Sequence, residues 1–320
     1  MIQAMLAERP ALDTKKFQNP EITAKGEARA AVALAGLRTL WINTGSLCNI
    51  ECDGCYIESG PKNDPLAYIT RNEAAAFLDE IARDGLGTQE IGFTGGEPFM
   101  NKDMAAMAGD ALARGFRVLI LTNAMAPLWQ KQAAVADLAR RHGKALALRV
   151  SIDHFTPAGH EAVRGANSWA PMMRGLKWLA GLDVTLSVAA RQPIGETEDE
   201  TRAGFAGLLA AEGIDLDAHS PRDLVVFPDM DAARDVPEIT TACWGILGVD
   251  PASIMCATAR MVVKRKGADA PVVLPCTLLP YDSRFEMGPT LADAGGPVHL
   301  NHPHCATFCV LGGANCSGGD

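Results

Sequence analysis

The 320-residue sequence has no long apolar run: stretches such as Ala30 to Leu37 reach only eight residues, against roughly 20 needed to cross a bilayer. No membrane helix is expected. The first ten residues lack the basic start and apolar stretch of a secretion signal, which points to a cytoplasmic protein. Positive charge is also short: 29 Lys and Arg stand against 38 Asp and Glu, for a formal charge of −9. A phosphate backbone is therefore a disfavoured partner, because nucleic-acid binders normally carry a basic stripe. No Ser-His-Asp set and no glycine-rich phosphate loop offers a competing catalytic centre, and the seven histidines lack helical metal-ligand spacing.

What is present is ordinary globular composition, 48% hydrophobic and 21% charged, at a length that suits one large domain or a domain and a half. Nine cysteines in a chain without an export signal read better as metal ligands than as disulfides, because the cytosol is reducing. Three of them lie in Leu47-Cys-Asn-Ile-Glu-Cys-Asp-Gly-Cys-Tyr56, directly after a strand-like run. Three thiolates on a four-iron, four-sulfur (4Fe-4S) cluster leave one iron without a protein donor, and an open position on a metal is where chemistry begins. Zinc is the alternative for Cys48, Cys52 and Cys55, since short-spaced cysteines also bind zinc, although structural zinc usually closes with four ligands. Inert buried thiols fit poorly beside Asn49, Glu51, Asp53 and Gly54.

From Thr39 onward short β-like runs alternate with amphipathic helices closed by glycine. Strands are expected at Thr39–Gly45, Glu90–Thr94, Arg117–Thr122, Leu146–Asp153, Val184–Ala190 and Leu224–Phe227. Helices are expected from the capping box Thr70–Glu73 to Gly85, at Lys102–Arg114, Leu128–His142 and Ser168–Ala180, and from the box Thr197–Glu200 to Gly213. Such alternation makes a parallel sheet with right-handed crossovers, either doubly wound or a barrel, with the working face at the C-terminal strand ends. The segment before Thr39 includes Ala-rich, helix-like sequence at about Gly26 to Gly36.

At the end of the second strand stand Gly95, Gly96, Glu97 and Pro98. Two glycines let backbone approach a ligand closely and leave N–H and C=O groups available to it; alone, the motif is also an ordinary strand-to-helix turn. Thr122 and Asn123 close the third strand, Ser151 and Asp153 the fourth, and Arg191 follows the fifth. Polar residues at strand ends often only cap or turn, and Arg191 suits either a carboxylate ligand or a surface salt bridge.

The C-x3-C-x2-C triad with Tyr56 behind it, followed one βα unit later by Gly95–Pro98, resembles the radical SAM superfamily. The resemblance implies an α/β fold, a partial (βα)6 TIM-like barrel. It implies that Cys48, Cys52 and Cys55 hold a 4Fe-4S cluster that chelates S-adenosylmethionine on its unique iron. Tyr56 fits the pattern. The Gly95–Pro98 motif would contact the amino group of the cofactor, Asn123, Ser151 and Asp153 its ribose and methionine portions, and Arg191 its carboxylate. The implied activity is reductive cleavage of S-adenosylmethionine to a 5′-deoxyadenosyl radical, which takes hydrogen from a peptide or small-metabolite substrate. The electron would come from an external donor such as flavodoxin or ferredoxin.

Cysteine density rises again beyond Cys243. The run from Cys256 through Gly267 to Cys276, then Cys305, Cys309 and Cys316, resembles the SPASM or twitch extension behind many such barrels. That resemblance implies one auxiliary 4Fe-4S cluster on Cys256, Cys276, Cys305 and Cys309, with Cys316 as substitute; the eight residues between Gly267 and Cys276 are more than the usual pattern has. Zinc, recruiting His302 or His304, is the alternative. Cys243, beside Trp244, reads as buried and free. The expected division is a helical cap at 1–38, the barrel at 39–235 and a small cysteine-rich region at 236–320. A different class, an iron–sulfur electron carrier or zinc-stabilised binding protein, is disfavoured because a carrier needs no cofactor-amino site.

Overall fold

A computed structural model describes residues 10–192, 195–228 and 231–313. Its centre is one sheet in the order β7-β6-β5-β4-β3-β2-β8-β9. The six strands expected from the sequence are β2 (Thr39–Asn43), β3 (Glu90–Thr94), β4 (Arg117–Thr122), β5 (Leu146–Ser151), β6 (Thr185–Arg191) and β7 (Leu224–Phe227), all parallel in chain order. Helices cross between them, which makes a partial barrel.

Alternation along the strands divides the side chains between two cores. Leu40, Ile42, Ile91, Phe93, Val118 and Ile120 pack outward against the helices, while Trp41, Leu119 and Met261 pack with Phe308 in a second cluster. Gly92 lies flat beneath the Trp41 indole, where a Cβ would stand 2.4 Å from a ring carbon. Helix α1 (Arg71–Asp84) begins at the Thr70/Glu73 capping box and ends at Gly85 in the left-handed conformation, φ 59°. Helix α7 (Glu198–Ala211) begins at the Thr197/Glu200 box.

Five local expectations are corrected. The helix expected over Leu128–His142 is two, α3 (Ala126–Gln130) and α4 (Gln132–His142), broken at Lys131. Helix α2 is shorter than expected (Met104–Ala113), and α6 (Trp169–Ala180) is preceded by an unexpected helix, α5 (Pro157–Arg164), capped by the Thr156 hydroxyl. The strand expected to reach Asp153 ends at Ser151. The Ala-rich segment near Gly26–Gly36 is not a helix: Ala31–Val32 (β1) pairs antiparallel with Val298–His299 (β10), and the Ala30 amide donates to Ile239 O at 2.9 Å. Non-local pairing overrides the modest helix propensity of alanine there.

The C-terminal hairpin joins the same sheet. Strand β8 (Ala259–Val263) adds in parallel to the free edge of β2, and β9 (Val272–Leu274) follows antiparallel, with Gly267 at the turn (φ 81°). Arg260, 1% exposed, anchors this addition. Its guanidinium donates to four carbonyls, Cys256 O at 2.6 Å, Ala259 O and Ala294 O at 2.8 Å and Gly296 O at 3.1 Å. Among the described residues no helix is long and apolar enough to cross a membrane.

Arg260→Met keeps the length of the side chain and removes every donor. Leaving those carbonyls buried and unpaired should lower unfolding stability by at least about 3 kcal/mol. Urea denaturation measures this; a loss below about 1 kcal/mol would mean that water replaces the guanidinium.

Candidate active site

The cysteine loop leaves β2 and is fixed at once against the loop after β3. Thr94 O accepts from both the amide and the hydroxyl of Thr44, at 2.8 and 2.9 Å. The Gly96 amide donates to Gly45 O at 2.8 Å and the Glu97 amide to Leu47 O at 3.1 Å. The two loops touch so closely that a Cβ on Gly95 would lie 2.5 Å from Gly45 O, and one on Gly96 only 2.1 Å from Leu47 O. Gly95 also has φ 131°, a region that only glycine enters readily. These glycines therefore make room for backbone, and the Gly96 and Glu97 amides, expected from the sequence to be available to a ligand, are taken by the cysteine loop.

The rest of the loop is tied on both sides. Cys48 N–H donates to Gly60 O at 3.1 Å, and Ser46 exchanges hydrogen bonds with Leu66. Asp53 N–H donates to Val163 O at 2.8 Å, Arg191 Nη1 to Asp53 O at 2.9 Å, and the Tyr56 hydroxyl to Pro228 O at 2.9 Å. The Arg191 guanidinium also lies over the Tyr56 ring, 5.0 Å from its centre.

Cys48, Cys52 and Cys55 all line one inner cavity of about 170 Å³ at the C-terminal strand ends, together with Gly95, Gly96, Asn123, Ser151, Asp153 and Arg191. It opens, through Cys52, Cys55, Tyr56, Asp153 and Arg191, into an outer cavity of about 1380 Å³. Of the expected site residues, Glu97 and Pro98 stand outside the lining of both. Glu97 turns inward: its carboxylate accepts from Thr122 Oγ1 at 2.9 Å, Asn123 N at 2.8 Å and Phe99 N at 3.2 Å. Burial pushes its pKa up to about 7 against the pull of those donors.

The sequence reading missed two arginines. Arg164, carried by the unexpected α5, pairs through Nε with Asp153 Oδ2 at 2.6 Å, and Arg191 Nε meets Asp153 Oδ1 at 3.1 Å. Burial pushes the Asp153 carboxyl up, and the two guanidiniums outweigh it and hold the group below its usual range. Arg149, on β5 with Nε 3.2 Å from Ser187 Oγ, lines the inner cavity as well. An arginine buried mid-strand, and another just before Gly165, were the available signals.

The three thiols suit a multiply charged metal centre. Burial pushes Cys48 up to about 12, with further upward pushes from Glu97, Cys52 and Cys55; Cys52 is raised by burial while Arg164 and Arg191 oppose it. Sulfurs that repel one another as thiolates are held ionised by a bound cation, and the inner cavity's lining adds no fourth thiol or imidazole. Among the described residues no group of three or more His, Cys, Asp or Glu closes around a single metal ion.

The C-terminal cysteines are placed differently. Cys256 and Cys305 are buried with Ile254, Val298 and Leu300, Cys276 belongs to the cluster around Trp41 and Phe308, and Cys309 borders both. Cys305 and Cys309 lie on a π-helical turn (Cys305–Leu311), and Cys316 is outside the described residues. The His302 and His304 rings lie tilted at 56° with centres 4.6 Å apart, their pKa values pushed down by burial to about 3 and about 4. Cys243, expected to be buried, is half-buried, with Thr240 N and Oγ1 each 3.4 Å from its sulfur.

With the geometry in place, comparison with known proteins supplies the family. The sequence model of the radical SAM superfamily matches residues 42–203, half of the chain, and the chain belongs to that superfamily. It is similar to the mycofactocin maturase MftC of Mycobacterium ulcerans (strain Agy99), 31% identical over 175 residues, which cover 53% of this chain and 43% of that protein. It is also similar to the Fe-coproporphyrin III synthase of Methanosarcina barkeri (strain Fusaro / DSM 804), 34% identical over 79 residues, 24% of this chain and 18% of that one. The chain thus spans less than half the length of these curated relatives. The crystal structure of Streptococcus suis SuiB bound to S-adenosylmethionine shares the fold, with TM-score 0.59 at 12% identity over 79% of this chain and 63% of that one. SuiB bound to precursor peptide SuiA aligns with TM-score 0.58 at 11% identity, over 80% and 63% of the two chains.

Two measurements check this site. Gly96→Ala forces a methyl into Leu47 O and should cost about 3 kcal/mol together with much of the iron-binding capacity. Gly207→Ala, in open space on α7, should instead stabilise by about 0.5–1 kcal/mol; equal effects in thermal melts would dismiss the close-contact argument. Glu97 gives a pH signature. Its folded pKa of about 7 lies above the ordinary glutamate value of 4.5, so between those values the native state keeps a proton that the unfolded chain releases. Stability of the metal-free protein should therefore fall as pH rises through that window, and Glu97→Gln should flatten the fall.

Proposed function

We propose that the chain is a radical S-adenosylmethionine enzyme acting on a peptide or small metabolite. The observation that carries this reading is the direct backbone joining of the Cys48–Cys55 loop to the Gly95–Glu97 loop, beside which Cys48, Cys52 and Cys55 line one inner cavity flanked by guanidiniums. When bound through Cys48, Cys52 and Cys55, a 4Fe-4S cluster with S-adenosylmethionine supplies a one-electron cleavage that releases a 5′-deoxyadenosyl radical able to abstract hydrogen from substrate. The chain's own groups orient and seclude. Arg164 and Arg191 present fixed guanidiniums suited to a carboxylate, with Asp153 holding both in place. Ser151 offers its hydroxyl to the polar parts of the cofactor, Asn123 turns its amide toward the cysteine loop, and Gly95 and Gly96 keep the wall beside the cofactor's amino group free of side chains. Leu121, Phe227, Leu278 and Phe308 give the inner cavity apolar walls that would disfavour water beside the cofactor.

The outer cavity is larger than a cofactor alone requires and has room for a second molecule. A peptide suits that room, and MftC and SuiB are relatives whose names or contents concern maturation or a precursor peptide; the porphyrin synthase keeps a small metabolite in play. The electron would come from an external donor of the flavodoxin or ferredoxin kind. The finer reading adds an auxiliary 4Fe-4S cluster on Cys256, Cys276, Cys305 and Cys309, with Cys316 as substitute; its support is Cys309 bordering both cysteine-bearing apolar clusters.

Anaerobic purification followed by metal analysis and reduction with S-adenosylmethionine separates these readings. The expected result is 5′-deoxyadenosine, with about eight irons per chain if both clusters form and about four if only the triad is loaded. Replacing Cys48, Cys52 and Cys55 by alanine should abolish the product. Zinc in place of iron, or intact S-adenosylmethionine under strong reductant, would overturn the proposal.

A further inference from the structure

Asn123 follows β4 in a turn that is more constrained than a strand end requires. Its backbone amide donates to Glu97 Oε2 at 2.8 Å, and Thr122 Oγ1, bonded to the other Glu97 oxygen, accepts from Ala124 N at 3.0 Å. Ala124 has φ 58°, a left-handed conformation costly for a residue with a Cβ, and it persists only where the surroundings over-determine it. They do so here: helix α6 presses on the turn, and a Cβ at Gly175 would stand 2.0 Å from Ala124 O.

The orientation of the Asn123 side chain is settled by its neighbours. Met125 N–H can only donate, and it lies 3.1 Å from Asn123 Oδ1, so the other end of the amide is the NH2 group. One hydrogen of that group goes to Asn49 Oδ1 at 2.9 Å, and Nδ2 also lies 3.8 Å from Cys48 Sγ, within hydrogen-bonding distance for sulfur. Both Asn123 and Cys48 are buried, so the contact is made away from bulk water, where a hydrogen bond is electrostatically stronger.

We propose that Asn123 is a positioning residue whose side-chain amide donates to Cys48 Sγ and raises the reduction potential of the cluster held by the triad, with Glu97 fixing the turn that aims it. The inference rests on the cluster reading above. Donors to cluster sulfurs favour the more negative, reduced state, and hydrogen bonding to sulfur is one of the determinants of such potentials. It assigns Glu97 a role through Asn123 on the cysteine loop, distinct from contact with a ligand.

The test is an anaerobic redox titration followed by electron paramagnetic resonance, reading the reduced-cluster signal that changes on addition of S-adenosylmethionine, with iron content measured in each sample. Asn123→Asp keeps the shape and the acceptor for Met125 while removing the donor; Asn123→Leu removes both polar ends. In Asn123→Leu the equilibrium constant for one-electron reduction should fall about tenfold, or about 59 mV. Asn123→Asp, which adds a negative charge near the sulfur, should fall further. A variant with full iron and a constant within about threefold of the unmodified protein would overturn the proposal. Loss of the triad's iron in both variants would overturn it too, because the amide would then serve loop assembly. An unmodified protein with no signal responsive to S-adenosylmethionine would overturn the cluster reading and the tuning with it, an outcome distinct from unchanged potentials on a responsive cluster.

Discussion

Two amide-to-carbonyl hydrogen bonds, Gly96 to Gly45 and Glu97 to Leu47, made where no side chain fits between the loops, determine the form of the site. They continue the parallel pairing of β2 and β3 beyond the strand ends, so that the cysteine loop inherits the rigidity of the sheet. Without that contact, the three cysteines would sit on an eight-residue stretch rich in charged and small residues, with little of its own to hold it. With it, Cys48 faces the inner cavity at a depth set by backbone geometry. Rigid elements hold a site more accurately than a free loop would.

Charge is arranged around this contact with opposite signs on two sides. Glu97 lies behind Cys48, buried and tied to three donors, and its charge opposes ionisation of that thiol. Arg164 and Arg191 lie toward the mouth, joined by Asp153, and favour ionisation of Cys52. A proposed cluster there would meet donors and cations on its open side, where an anionic cofactor carboxylate also has to bind. The same two arginines would serve both demands, and one carboxylate between them fixes their geometry.

Much of the fold was legible because it is written in local signals. Capping boxes at Thr70 and Thr197, terminal glycines such as Gly85, and alternating apolar runs located most of the helices and all six core strands to within a few residues. What escaped depends on contacts distant in sequence. The N-terminal alanines look helical alone and are drawn into extended structure by Val298 and Ile239. The run from Cys256 through Gly267 to Cys276 was legible only as a resemblance, and its pairing with β2, more than 200 residues earlier, was not legible at all. The triad and the two glycines were legible as a site from type and spacing. The direction of Glu97 was not, because a motif gives residue identity and the fold decides which way a side chain turns. Arg164 escaped because α5 is only eight residues long, too short for its periodicity to stand out.

In the proposed function, the contact between the two loops builds a place where S-adenosylmethionine meets a metal held by Cys48, Cys52 and Cys55. Electron–nuclear double resonance on the reduced protein, with the cofactor labelled by nitrogen-15 at its amino group, tests this without depending on any substrate. A hyperfine coupling of the labelled nitrogen to the cluster is expected, lost when the three cysteines are replaced by alanine. A reduced cluster that shows no such coupling at saturating cofactor would contradict it.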